Sequence, residues 1–162
     1  MTLTACMKLP DIEGESVRPG HEREIDVFDI HCAPDRDLRT GAGTGHGRGR
    51  PALGPLSIRK GDDAAASHLA PARLIGKPFP EARTVLWTSC DDMHRDLDYL
   101  TIPLTNAAIS LYEILGADGG PTALRERVDP IFEAVIIRYI EQAADQSAGT
   151  PDEIDCEIGA RA

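Results

Sequence analysis

Aromatic residues are scarce, 4% of 162 positions, and basic residues are outnumbered, with 17 Lys plus Arg against 27 Asp plus Glu. The resulting net charge of -10 excludes a duplex nucleic-acid binder, whose affinity rests on neutralising phosphates. No stretch of apolar residues is long enough for a helical span, so membrane insertion is not expected. The opening Met1-Thr2-Leu3-Thr4-Ala5-Cys6-Met7-Lys8 lacks a basic start followed by an apolar run, so no signal peptide is expected. Cysteine is also sparse: residues 6, 32, 90 and 156 contain no CxxC pair and are too few for a disulfide scaffold of this length. They read as reduced thiols of a protein folded in the cytoplasm.

What is present points to one small folded domain. A hydrophobic content of 41% is too high for a disordered acidic chain, and a domain of ~150 residues buries roughly 70% of its unfolded surface. The dominant periodicity is two. Leu100-Thr101-Ile102-Pro103-Leu104 alternates as a half-buried strand does, and Pro103 restricts it to an edge or an irregular point of a sheet. Ala107–Leu115 alternates again. Further strands are predicted over Ala5–Leu9, Glu24–Cys32, Leu53–Lys60, Arg83–Ser89 and Ile131–Gln142, about seven in all. In Glu24–Cys32, Ile25 and Val27 are out of phase with Phe28 and Ile30, which predicts a bulge near Val27-Phe28. The final strand is apolar on both faces, with Val135, Ile137 and Tyr139 on one of them; one face can meet the core and the other calls for a helix or a second subunit, which makes these three subunit-interface candidates.

One helix is predicted over 62–76. Asp62 or Asp63 offers an N-cap, Ala64-Ala65-Ala66 propagates, Gly76 can terminate the segment, and Pro71 interrupts it. Ala33–Arg50, with glycine at 41, 43, 45, 47 and 49, reads as a flexible loop. Residues 143–162 read as an acidic, disordered tail after a domain spanning 4–142. Charge is unevenly placed: residues 33–60 hold six basic against two acidic side chains, whereas the tail holds five acids and Arg161.

No motif for catalysis survives inspection. All five loop glycines occupy odd positions, which fits neither G-x-G-x-x-G nor G-x-x-x-x-G-K. Gly14-Glu15-Ser16-Val17-Arg18 begins as a nucleophile elbow and lacks its last glycine. His21-Glu22-Arg23-Glu24-Ile25 begins as H-E-x-x-H and lacks its second histidine. His31-Cys32 and Cys90-Asp91-Asp92-Met93-His94 have no partner pair at metal-binding spacing. Acid pairs at 26/29, 62/63 and 91/92 are too numerous to single one out. No catalytic residue, cofactor or metal is expected.

The order of features nevertheless resembles the Hcp family, the haemolysin-coregulated tube proteins of bacterial type VI secretion systems. The resemblance runs through Gly14-Glu15-Ser16, His21 and Glu24-Ile25-Asp26-Val27 to the glycine-rich loop. It continues through Leu56-Ser57-Ile58-Arg59-Lys60, then Asp63, Leu69 and Gly76-Lys77, and Pro80-Glu81-Ala82. Asp98-Tyr99-Leu100-Thr101-Ile102-Pro103-Leu104 follows, with Phe132 and Tyr139 in the last strand. It covers roughly residues 5–142. The chain departs from the family at Phe28-Asp29-Ile30-His31-Cys32, which has fewer aromatics, in lacking a Ser-Pro or Thr-Pro pair in the helix, and at Pro130.

The resemblance implies an antiparallel β-barrel with one flanking α-helix, assembling as a homohexameric ring. It further implies stacked rings forming a tube, spike and sheath proteins as partners, and effector proteins carried in the lumen. The protein would be cytoplasmic before firing and then secreted by the machine without a leader. Stacking would use the basic loop, Gly41, Gly43, Gly45, His46, Gly47, Arg48 and Arg50, against an acidic surface of the next ring, with Asp26, Asp29 or residues 11–24 as candidates. A related tube or adaptor protein of a contractile phage-like particle would share the barrel. A small barrel hydrolase or fused effector enzyme is the other class, but about twenty residues after the barrel cannot build a second core.

Overall fold

Period-two segments become strands, and the strands close on themselves. The computed structural model describes residues 5–32, 34–35, 52–53, 56–88, 97–116, 124–142 and 148–157. In chain order these form β1 (Ala5–Lys8), β2 (Ile25–His31), β3 (Pro34–Asp35), β4 (Ala52–Leu53), β5 (Ser57–Gly61), α1 (Ala66–Ile75), β6 (Pro78–Thr88), β7 (Leu97–Leu115), β8 (Arg125–Ile131), β9 (Ala134–Gln142) and β10 (Ala148–Glu157). Strands β7, β6, β1, β2, β5 and β8 pair in that order, and β8 returns to β7. All pairings are antiparallel. The result is a six-stranded closed barrel, which leaves no edge inside that ring of strands. The fold class is the expected one.

Register follows the sequence where the sequence is clear. Val27 pairs with Lys60 and Asp29 with Arg59, so Phe28 is the extra residue. That is the bulge the switch of faces requires. Pro103 pairs with Arg83 on one side, while on the other the β7–β9 ladder lapses between Thr101 and Leu104. A residue without an N–H sits at that lapse. A second bulge at Ser110 faces Asp129-Pro130, and the Ser110 hydroxyl donates to the Asp129 carbonyl at 2.7 Å.

Several expectations need correction. Leu100–Leu104 and Ala107–Leu115 belong to one 19-residue strand, β7; its first half pairs with β9 and its second with β8. The predicted strand over Ile131–Gln142 is divided at Phe132-Glu133, where the Glu133 N–H donates to the Thr105 carbonyl. What precedes the break is β8, rich in charge and not predicted. The tail expected to be disordered from 143 contains β10, whose residues 148–157 pair with β9, so the folded unit does not stop at 142. Backbone hydrogen bonding to β9 holds this acidic segment, and backbone pairing leaves no hydrophobic pattern to read.

The helix begins later than predicted. Asp63 accepts from the Ala65 N–H at 3.0 Å, but the first helical residue is Ala66. Gly76 ends the helix at φ 64°, left-handed as expected, with the Lys77 N–H closing on the Ala72 carbonyl at 2.9 Å. Glycine adopts that conformation without the Cβ penalty. Pro71 lies inside the helix on an exposed face, while Leu69 and Ala72 turn inward. They join a core of Met7, Ile25, Ile58, Phe79, Leu104, Ile109 and Val128.

Candidate functional site

Six residues of the resemblance, Gly14, Ser16, His21, Glu24, Lys60 and Asp63, belong to two buried polar clusters in the barrel. The first begins at Gly14. A Cβ there would stand 2.6 Å from the Ile25 Cα, so only glycine lets residues 14–16 lie against the start of β2. Three main-chain bonds fasten them: Gly14 N–H to the Arg23 carbonyl at 2.8 Å, Ser16 N–H to the Glu24 carbonyl at 3.1 Å, and Arg23 N–H to the Ser16 carbonyl at 2.8 Å. Ser16 is buried and Glu15 exposed. The loop thereby carries His21 and Glu24 onto β1.

Glu24 is buried and richly supplied with donors. The Cys6 thiol donates to its Oε2 at 2.6 Å, His21 Nδ1 lies 3.1 Å from the same oxygen, and Arg83 donates to Oε1 at 2.8 Å. Burial opposes ionisation of this carboxyl, yet the Cys6, Arg83 and His21 donors prevail and hold it below the usual carboxylate range. The same burial, reinforced by Glu24, pushes the Cys6 thiol far up. A thiol held protonated is not a nucleophile. His21 Nε2 lies 3.1 Å from Asp98 Oδ1 at the start of β7, so four elements meet here.

The second cluster surrounds Lys60, a fully buried side chain. Strand alternation places it on the face of Ile58, inside the barrel. Its Nζ donates to Glu126 Oε2 at 2.5 Å and to the Gly61 carbonyl at 2.7 Å, and lies 2.8 Å from Asp63 Oδ1. Tyr112 is bound to Glu126, and burial, that hydrogen bond and the charges of Glu126 and Asp63 push its hydroxyl up to about 12. Beside it, Arg127 holds Asp129 through Nε at 3.0 Å and Nη2 at 2.6 Å, and also reaches Ser57 Oγ at 3.0 Å. A charge inside a barrel is tolerable only when paired in this way.

The remaining predicted residues scatter. Ile25 and Val27 are core residues and Asp26 is exposed. Tyr99 is the bulged residue of the β6–β7 ladder and meets Tyr139 edge-on, with ring centroids 6.4 Å apart. Of the interface candidates, Val135 is 1% exposed and belongs to the monomer core, which leaves it no surface for a partner; Ile137 is half-buried and Tyr139 is 47% exposed. The residues expected to mediate stacking, Gly41, Gly43, Gly45, His46, Gly47, Arg48 and Arg50, lie outside the described residues. Sequence reasoning missed Cys6, Arg83, Tyr112 and Glu126 as members of the clusters, since Cys6, Arg83 and Glu126 meet partners 18 or more residues away and Tyr112 reaches Glu126 diagonally across the β7–β8 ladder, where its own register partner is Val128. A cleft of about 180 Å³ between Asp11, Ile12, His68, Pro71 and Lys77 is below the ~300–1,000 Å³ of small-molecule sites.

A closed barrel with one flanking helix and two buried ionic clusters defines a class of small β-barrel domain. Comparison with known proteins identifies which one. The family model described as "Type VI secretion system effector, Hcp" matches residues 6–139, and the chain belongs to the Hcp family. "Protein hcp1" of Pseudomonas aeruginosa is 29% identical over 145 residues, covering 90% of this chain and 88% of that protein. A solved structure described as that of a type six secretion system protein superposes with a TM-score of 0.86 at 25% identity, covering 96% of each chain. Hcp1 from Salmonella typhimurium shares the fold, with a TM-score of 0.77 at 24% identity over 97% of this chain and 95% of that one. Membership makes the chain a tube protein of type VI secretion, a structural component of the machine.

Proposed function

We propose that six copies of this chain close into a ring, that rings stack into the inner tube, and that effector proteins travel in the lumen. The tube would engage spike and sheath proteins, and the chain itself would leave the cell with it. The observation that carries the reading is the closed barrel combined with its incompletely covered wall. Ile114, Ile131 and Tyr139 of β7, β8 and β9 are 60%, 54% and 47% exposed, although their strands otherwise feed the core. Covering large apolar side chains is worth roughly 25 cal/mol per Å² removed from water. A head-to-tail contact that closes by rotation covers them in every copy and leaves no terminal subunit.

Native mass spectrometry and negative-stain microscopy of the purified protein test this directly. Six-membered rings with a central hole are expected, and Ile131→Asp with Tyr139→Asp should shift the population to monomers that still fold. A wild-type chain that remains monomeric at high protein concentration overturns the ring.

A further inference from the structure

The Cys6–His21–Glu24 cluster has a property that a locking role does not need. Three different metal-ligating atoms, Cys6 Sγ, His21 Nδ1 and Glu24 Oε2, converge within 4.8 Å of one another, and all three residues are buried. We propose that this cluster binds a borderline-soft divalent transition metal, with Zn²⁺ the ion its donors fit best.

The donor set is one sulfur, one imidazole nitrogen and one carboxylate oxygen, the mixture that favours zinc over magnesium or calcium. Zinc holds such ligands at about 2.0–2.3 Å, which separates neighbouring ligand atoms by roughly 3.2–3.7 Å in a tetrahedron. Here Oε2 is 2.6 Å from Sγ and 3.1 Å from Nδ1, so admitting the ion requires spreading these two pairs by about 1 Å or less, with Sγ and Nδ1, within 4.8 Å of each other, settling to the same tetrahedral spacing. The fourth position is left for water.

The surroundings supply an independent argument. The second nitrogen of His21 lies 3.1 Å from Asp98 Oδ1, the carboxylate–histidine arrangement that orients a metal-bound imidazole and raises its basicity. On the other side, Arg83 holds Glu24 Oε1 at 2.8 Å, which leaves Oε2 directed at Cys6 and His21. The charges also match. Binding would convert the Cys6 thiol to a thiolate, releasing its proton to solvent. Thiolate and Glu24 carboxylate then balance the dication, while Arg83 and Asp98 balance each other. Asp98 is 44% exposed by its side chain and marks the side from which an ion would enter.

Refolding the full-length, tag-free chain with Co²⁺ as a spectroscopic stand-in tests the site, followed by displacement with Zn²⁺. One Co²⁺ per chain is expected, with a thiolate-to-cobalt charge-transfer band that Zn²⁺ abolishes. Cys6→Ser should remove that band and Cys32→Ser should retain it. Asp98→Asn should weaken the metal ~10–100-fold while keeping the band. Zn²⁺ should raise the melting temperature of wild type in a concentration-dependent way, and not that of Cys6→Ser. A chain that refolds without saturable binding, or a charge-transfer band that survives Cys6→Ser, overturns the assignment and leaves the cluster a hydrogen-bonded lock.

Discussion

At the scale of single residues, Lys60 carries the most consequence. An unpaired ammonium inside a barrel would be intolerable, and an unpaired Glu126 hardly less so. Their 2.5 Å contact, supported by Asp63, Gly61 and Tyr112, makes each the condition for the other. Lys60→Met should therefore cost roughly 3–5 kcal/mol in urea denaturation, because Glu126 is left buried beside a thioether. Lys60→Met combined with Glu126→Leu should recover most of that loss, since a well-packed apolar pair can replace a buried ion pair at little cost. If the double variant is as unstable as the single one, the charge pair is not the source of the penalty. Lys60 itself was visible in the sequence only through the family resemblance. Glu126 was not visible at all, because Arg125-Glu126-Arg127 reads as a solvated charge run and only the β5–β8 register sets Glu126 opposite Lys60.

At the scale of elements, legibility depended on what holds each segment in place. Strands with a side-chain pattern were readable, down to the Phe28 bulge. β10 was not, because its hold on β9 is a ladder of main-chain bonds on an acidic sequence. β8 was missed for a related reason: it buries Glu126 and Asp129 where a strand rule expects apolar residues. The segment 14–24 lies between these cases. Its Gly-Glu-Ser stands out through the family resemblance, but the reason for the glycine is a close approach to β2 that no local rule reveals. Gly14→Ala places a Cβ against the Glu24–Ile25 backbone, where no flexible side chain can yield. Overpacking of this kind costs ~1–3 kcal/mol or more. Thermal unfolding should show that loss, and hydrogen exchange should place it at the Ser16 and Arg23 amides. Gly61→Ala, where no heavy atom lies within 4 Å of an added Cβ, is the control and should be nearly silent. Equal protection of the 14–24 amides in both variants would contradict the close-approach account.

At the scale of the whole molecule, the net charge of -10 is an obstacle to the assembly proposed for it. Six copies carry about sixty negative charges, and two such rings repel each other unless the sign is patterned locally. The sequence supplies the pattern: residues 33–60 hold a basic excess in an acidic chain. On the acidic side, Asp26 is exposed, and Asp29 is half-exposed and held only loosely by Arg59 at 3.7 Å. Individual exposed pairs are weak, ~0.2–1 kcal/mol each, and screened over a Debye length of about 8 Å at physiological salt. Six pairs acting between two rigid rings are another matter, since the first contact makes the others intramolecular. Stacking should therefore be cooperative and salt-sensitive, while ring closure, which covers apolar side chains, should be neither weakened by salt nor dependent on the loop. Arg48→Glu with Arg50→Glu should abolish tube growth in electron micrographs and leave six-membered rings intact by native mass spectrometry. Rings that stack as readily with both charges reversed would place the stacking contact elsewhere on the barrel.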